Sequence, residues 1–280
     1  VNLDPSYIPA LAEKGYEWAW SGLDGFFRDD HLTVINLECS PSALGSAEPK
    51  GFTFRCPDGM DQMVAAGIDV VNLGNNHAQD FGKEAMLDGR ARLLAAGLMP
   101  VGAGYDVDQA NDFAAFEIDG WKVAVVGFGG IRPHDGWIAT DGAPGMADGD
   151  TIESMTAAVQ AADRWADWVV VTIHWGVELD REPRSEDVER ARAMIAAGAD
   201  VIFGHHPHRL QPFEIVEGRP VFWSLGNFVW PNFSAAGSES AVARVVISGE
   251  SEIAACMLPA FIESSGHPIL TGDRSCPGEP

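Results

Sequence analysis

Six stretches of near-continuous apolar residues punctuate the chain: LTVINLE (32–38), IDVVNLG (68–74), WKVAVVGFGG (121–130), DWVVVTIHWG (167–176), ADVIFGHH (199–206) and RPVFWSLGNF (219–228). Runs with no polar side predict strands buried on both faces of a sheet. Between them, GKEAMLDGRARLLAAGL (82–98), TIESMTAAVQAADRWA (151–166) and SEDVERARAMIAAGA (185–199) carry apolar residues at helical spacing. From about residue 210 the pattern shifts to strands and turns, ending with SAVARVVISG (240–249) and an irregular tail. No repeat, low-complexity block or long linker divides the sequence. The expectation is a single α/β domain over residues 1–270, β-richer towards its end, with an irregular tail at 271–280.

Polar residues break these runs at one recurrent place, the carboxyl end. Glu38 ends the first run, and Asn75, Asn76 and His77 follow the second. His174 closes the fourth, His205, His206 and His208 follow the fifth, and Asn227 closes the sixth. Ligands of α/β sheets bind beyond the carboxyl ends of the strands. One polar residue at such a position ordinarily caps a turn, and the histidines of VIFGHHPHRL (201–210) alone fit a plain polar loop as well. Five separate strand ends delivering carboxylate, carboxamide and imidazole to one edge make a metal centre the expectation.

The donor types narrow the metal. Mixed oxygen and nitrogen ligands suit Mn²⁺, Fe²⁺ or Zn²⁺; the set is too rich in nitrogen for Ca²⁺, and no clustered thiols invite an Fe–S centre. Five ligands exceed the needs of one tetrahedral zinc, whereas two divalent ions sharing a carboxylate use them all. Such a pair lowers the pKa of a bridging water and clamps phosphoryl oxygens.

Charge then narrows the partners. With 41 Asp and Glu against 18 Lys and Arg, the net charge is −23. That surface repels nucleic acid and anionic lipid, so neither is an expected partner. No run approaches the ~18 apolar residues of a membrane span. The four cysteines hold no CxxC pair, and their even number permits disulfides without requiring them. The chain opens VNLD without an initiating Met; an upstream signal or anchor would put it at the cell surface or outside the cytoplasm.

The motifs NLE (36–38), NLGNNHAQDFG (72–82), HWGVE (174–178), AGADVIFGHHPHRLQPFE (197–214) and SLGNF (224–228) resemble, in order, those of the CapA family. These are bacterial capsule, or poly-γ-glutamate, synthesis proteins of the calcineurin-like metallophosphatase superfamily. The resemblance runs from about residue 1 to 270. It implies an α/β/β/α sandwich, truncated here at the N-terminal strand. It also implies that Glu38 bridges two ions, where most superfamily members place Asp. Asn76, His174 and His206 then complete the second ion, and His208 binds the first. His77 takes the part of general acid, oriented by Asp80, for which a helix N-cap is the competing role. Asn75, His205 and Asn227 support ligands rather than bind. Glu178 matches the Glu of HWGxE without an assigned role, an exposed loop carboxylate being the plainer reading. His134 and His267 lie outside the motifs. Family members begin with a strand ending in Gly-Asp, a ligand of the first ion. This chain opens as if just after that Asp, and Asp4 falls too late to replace it.

The implied activity is that of a metal-dependent hydrolase making or processing an anionic capsule polymer, with phosphoester hydrolysis the default of the fold. Small molecules or anionic polymers are the implied substrates, and other capsule-synthesis proteins the implied partners. Two readings stay open beside it. One is a non-catalytic, metal-stabilised module of a cell-surface polymer assembly; the other is metal-assisted acid–base chemistry at carbon on a peptide-like substrate. A purely structural metal site has no use for a His77–Asp80 dyad, which favours the enzyme. A nucleic-acid phosphodiesterase has the right metals and the wrong surface charge. Loops 39–60 and 128–150 carry no motif that names a substrate.

Overall fold

Three short parallel strands, β1 (Val34–Asn36), β2 (Val70–Asn72) and β3 (Met99–Val101), form the first sheet in that order. β4 (Ala103–Gly104) leads on to a hairpin of β5 (Ala114–Ile118) and β6 (Trp121–Gly129), and β7 (Gly145–Met146) returns to pair with β4. β8 (Trp168–His174), β9 (Val201–His205), β10 (Phe213–Val216) and β11 (Arg219–Phe222) complete a six-stranded sheet in the order β10-β11-β9-β8-β6-β5. Its four central strands are parallel, with antiparallel β5 and β10 at the edges. An antiparallel sheet of β12 (Glu239–Ser248), β13 (Glu252–Ser264) and β14 (His267–Leu270) ends the fold. This computed structural model describes residues 1–249, 252–277 and 279.

The unbroken apolar runs follow from layering. In β6, Val123 and Val125 join the core between sheets, while Ala124, Val126 and Phe128 join the core under helices Ile152–Asp163 and Ser185–Ala196. β8 splits the same way, with Trp168 and Val170 inward and Val169, Val171 and Ile173 towards those helices. Helices Met60–Ala66 and Gly82–Ala96 cover the outer face of the first sheet through Met63, Met86 and Leu93. Each fully buried side chain of this kind contributes on the order of 2 kcal/mol. Because both faces of β8 are apolar, its polarity pattern alone does not set its register. Thr172 and His174 mark its inward face only at the carboxyl end.

Three sequence expectations are corrected. The apolar runs divide between two sheets: the first two build the parallel three-stranded sheet and the other four the six-stranded one. β1 stops at Asn36, and Glu38 lies beyond it, where its N–H donates to the Val1 carbonyl (2.7 Å). The sixth run leaves the sheet at Phe222, because the chain turns through Gly226 (φ 69°) before reaching Asn227. β1 and β12, each an outer strand of its sheet, both line an apolar cavity of about 510 Å³. No helix among the described residues is long and apolar enough to cross a membrane.

All four cysteines are paired, Cys39 with Cys56 and Cys256 with Cys276. The second bridge and an Arg244–Glu279 ion pair tie the irregular tail to the last sheet. The first closes a loop that begins next to Glu38 and carries Lys50, Phe52 and Phe54. Closing a loop of this size is worth about 3 kcal/mol in the chain-entropy account. Replacing Cys39 and Cys56 together by Ala should therefore lower the thermal midpoint measurably; an unchanged midpoint means other contacts hold the loop.

Candidate metal and acid–base site

The polar strand ends of the two sheets meet across the sandwich. Asn36, buried at the end of β1, is the hub: its Nδ2 donates to Glu38 Oε1 (2.9 Å) and to His174 Nδ1 (3.2 Å). Its Oδ1 accepts from Asn75 Nδ2 (3.2 Å) and more weakly from Asn72 Nδ2 (3.4 Å). Donation by Asn36 to Nδ1 leaves the His174 proton on Nε2, which lies 2.9 Å from Asn76 Oδ1. Burial first, then the neighbouring imidazoles, holds the His174 pKa well below 6.5, so the ring is neutral.

β9 ends in an abrupt change of direction. His205 keeps strand geometry, whereas His206 has φ 105° and His208 φ 53°, left-handed values that side chains other than Gly rarely adopt. Such positions persist where surrounding structure over-determines them, and they cluster at functional sites. His206 packs 4.7 Å, centroid to centroid, from His174, and its Nδ1 is buried without a hydrogen-bond partner. Burial pushes its pKa down to about 4. His208 Nδ1 donates to Asn227 Oδ1 (2.7 Å), and Asn227 Nδ2 is spent on the Gly237 carbonyl (2.9 Å), which fixes the amide.

His208 Nε2, the ring nitrogen left without a hydrogen bond, faces Glu38 Oε2 at 3.8 Å, too far for a hydrogen bond. That carboxylate oxygen is buried and unpartnered. Burial works to raise the Glu38 pKa, but the charges around it, His208 foremost, hold it below the ordinary carboxylate value. A carboxylate oxygen without a hydrogen bond facing a ring nitrogen without one, beside the orphaned His206 Nδ1, is a donor arrangement that suits a shared cation. The 2.9 Å contact between His174 Nε2 and Asn76 Oδ1 is a hydrogen bond in this structure, and these two atoms would serve one ion together only with the Nε2 proton removed. The donor set thus fits a divalent metal in kind. Among the described residues no three His, Cys, Asp or Glu side chains stand as a ready-made cluster. Asn76 is the contact that links His174 into the group.

Beside this group lies the dyad. Asn75 Oδ1 accepts from the His77 N–H (2.9 Å) and its Nδ2 donates to the Leu37 carbonyl (2.9 Å), anchoring the turn after β2. His77 Nδ1 lies 2.8 Å from Asp80 Oδ2. Asp80, wholly buried, also accepts from the Phe54 N–H (2.7 Å) and pairs with Lys50 Nζ (2.5 Å). It does not cap helix Gly82–Ala96, whose N-cap position is Phe81 with no side-chain bond. Engagement of Nδ1 leaves Nε2 of His77 for a cavity of about 230 Å³ that His77 and His208 both line.

Other expected residues fall outside the group. His205 does not support a ligand: it stays on the strand, bonds Thr172 Oγ1 (3.1 Å) and lines the inter-sheet cavity, because the chain turns only at His206. Glu178 is a rim carboxylate, largely exposed, 4.0 Å from His208 Nε2. Asp4 is spent on Ser6 and on the Arg55 N–H. His267 stacks on Trp18 and bonds Ser21 and Glu263, a packing role. Sequence reasoning passed over Asn36 and Lys50. Asn36 sits two residues before Glu38, on the same side of an extended chain, which was the available signal. Lys50 had only its rarity in an acidic chain to mark it.

The family model described as bacterial capsule synthesis protein PGA_cap matches residues 1–232. The chain belongs to this family. The PGA biosynthesis protein CapA of Bacillus subtilis (strain 168) is 40% identical over 162 residues, 58% of this chain and 42% of that protein. The capsule biosynthesis protein CapA of Bacillus anthracis is 34% identical over 210 residues, 74% of this chain and 51% of the relative. A probable polyglutamine synthesis accessory protein of Mycobacterium tuberculosis is 30% identical over 238 residues, covering 80% and 63%. The chain thus spans about half the length of the curated relatives it matches. Among solved structures, the Haemophilus influenzae NAD nucleotidase NadN superposes with a TM-score of 0.52 at 16% identity, over 92% of this chain and 54% of that one. A hypothetical protein of Thermus thermophilus gives 0.54 at 17% identity, over 88% and 95%. At these identities the likeness is one of fold. This capsule-synthesis family member shares with them a sandwich of two facing β-sheets with helices on the outside.

Proposed function

We propose that this capsule-synthesis family member is a metal-dependent hydrolase acting in the making or processing of an anionic capsule-type polymer, with phosphoester hydrolysis as its chemistry. The observation that carries this reading is the meeting, in one cleft, of a cation-seeking donor group and a carboxylate-held imidazole. Glu38, Asn76, His174, His206 and His208 would hold two divalent ions, Mn²⁺, Fe²⁺ or Zn²⁺, with Glu38 shared. Bound metal supplies an activated water and charge stabilisation. The chain's own groups do the rest. Asp80 holds the His77 proton on Nδ1 and aims Nε2 into the cleft, so that a proton carried there reaches the leaving group as the bond breaks. Lys50 pairs with the Asp80 carboxylate in its buried position. Asn227 and Asn36 fix the rings of His208 and His174.

Two disulfides support a setting outside the reducing cytoplasm. A non-catalytic module leaves the dyad and its buried ion pair without a purpose, since a buried pair is weak evidence for stability. Stripping the protein, re-equilibrating it with Mn²⁺, Fe²⁺ or Zn²⁺ and assaying a phosphoester panel beside poly-γ-glutamate tests the reading. Stoichiometric binding with metal-dependent turnover is expected. Binding without turnover of any class hands the case to the module; no binding at all sinks both.

A further inference from the structure

Against His77 and His208 the cavity of about 230 Å³ is walled by Tyr7, Phe52, Phe54, Trp230 and Phe233, with Arg209 as the cation of its lining and the exposed Glu178 as the carboxylate. The rings are continuous with the reactive histidines. Phe54 lies 4.5 Å from His77 and Trp230 4.6 Å from His208, centroid to centroid. Tyr7 sits among them, 4.5 Å from Phe54, 5.7 Å from Trp230 and 6.0 Å from Phe233. At the mouth, Phe52 is 65% exposed and Phe233 76% exposed. Single exposed apolar residues need no explanation, but two phenyl rings left in water at the rim of an aromatic-walled concavity mark a binding surface. Phe52 and Phe54 alternate along an extended loop that the Cys39–Cys56 bridge closes, and Tyr7 contacts both rings.

Size and charge select the occupant. A cavity of roughly 150 Å³ holds benzene, so this one takes a single ring-sized group and not a whole cofactor. Arg209 donates to the His208 carbonyl (2.7 Å) and makes no ion pair among the described residues. In a chain of net charge −23, its remaining N–H groups are a scarce anchor for an anion. We propose that the substrate is an anion bearing an apolar ring on the leaving-group side of the bond, the ring seated in this bowl and the anion held by Arg209. The word leaving-group rests on the hydrolase reading; the ring-binding bowl does not. A bare polyglutamate chain has no ring to seat, so the ring belongs to an activated precursor or to a group released from the polymer.

Calorimetric titration with non-hydrolysable phosphonates tests this, on metal-loaded and metal-free protein. Phenylphosphonate should bind about tenfold tighter than methylphosphonate, as expected for a desolvated ring among aromatic side chains. Phe52→Ala with Phe233→Ala should erase that preference and leave methylphosphonate within about twofold; both positions are exposed, so folding is not at stake. Arg209→Met should weaken both phosphonates together and leave benzyl alcohol unaffected. Benzyl alcohol has no metal-seeking group. Its binding, and its loss in the double Phe variant, upholds the bowl even where metal has no influence on either phosphonate and the hydrolase reading fails. Equal affinity for phenyl and methyl compounds overturns the proposal, as does a preference that survives the double variant. Hexylphosphonate matching phenylphosphonate overturns the ring in favour of an aliphatic chain.

Discussion

His77→Asn lowers turnover by about 10²–10⁴-fold, the usual worth of general acid catalysis, while metal content stays at the wild-type level. The separation follows from geometry. His77 Nδ1 is engaged by Asp80, and the ring packs in the aromatic wall against Phe54, with no hydrogen bond or ring contact of its own to Glu38, His174 or His206 among the described residues. Asn in its place leaves Asp80 with the Phe54 N–H and Lys50, so no buried charge is stranded. The variant should therefore fold. A signature distinguishes lost proton donation from general damage: the defect is large for esters with basic leaving groups and shrinks for p-nitrophenyl esters, which depart without a proton. Equal losses across that series would mean that His77 positions substrate instead. Full turnover on the basic esters would remove the general-acid role altogether.

His206→Gly abolishes metal-dependent activity and yet costs the metal-free protein no stability. Two features of the folded chain predict this combination. Gly adopts φ 105° without the penalty a His side chain carries there, about 1–3 kcal/mol. Removing the ring also removes a buried Nδ1 with no partner, itself a burden of about 1–3 kcal/mol. Against these stand lost packing on His174 and a small void. Wild-type protein should gain thermal stability when Mn²⁺ or Zn²⁺ is added, because a ligand that binds only the native state stabilises it by mass action. The Gly variant should show little or no such gain, with its metal-free midpoint at or above that of wild type. A variant that unfolds without metal, or one still stabilised as strongly by metal, would contradict a strained residue held for its ligand function.

Much of this architecture was legible in residue order, because local pattern reports burial directly. The unbroken apolar runs of β6, β8 and β9 pointed to strands covered on both faces, and they are. Helical spacing marked 82–98, 151–166 and 185–199, close to the observed Gly82–Ala96, Ile152–Asp163 and Ser185–Ala196. Polar residues at strand ends picked out Glu38, Asn76, His174, His206 and His208, which the fold gathers into one contiguous group, and the short spacing of His77 and Asp80 made their pairing foreseeable. None of this required knowing which strands are neighbours.

Direction and distant company were another matter. Adjacent positions in GHHPHR share composition and period, yet His205 faces Thr172 while His206 and His208 turn to the cleft; only two left-handed backbone positions decide it. Asn36 meets His174 across 138 residues of sequence, and Lys50 reaches Asp80 from a loop with no periodicity to read. The aromatic bowl draws on Tyr7, Phe52 and Phe233, three segments with nothing in common until the sheets pack. Hydrophobic pattern specifies that a side chain is buried, since burial is a property of one residue and its solvent. It does not specify against what, because the partner is set by how strand ends and loops from separate sheets meet, and that depends on the packing of the whole chain.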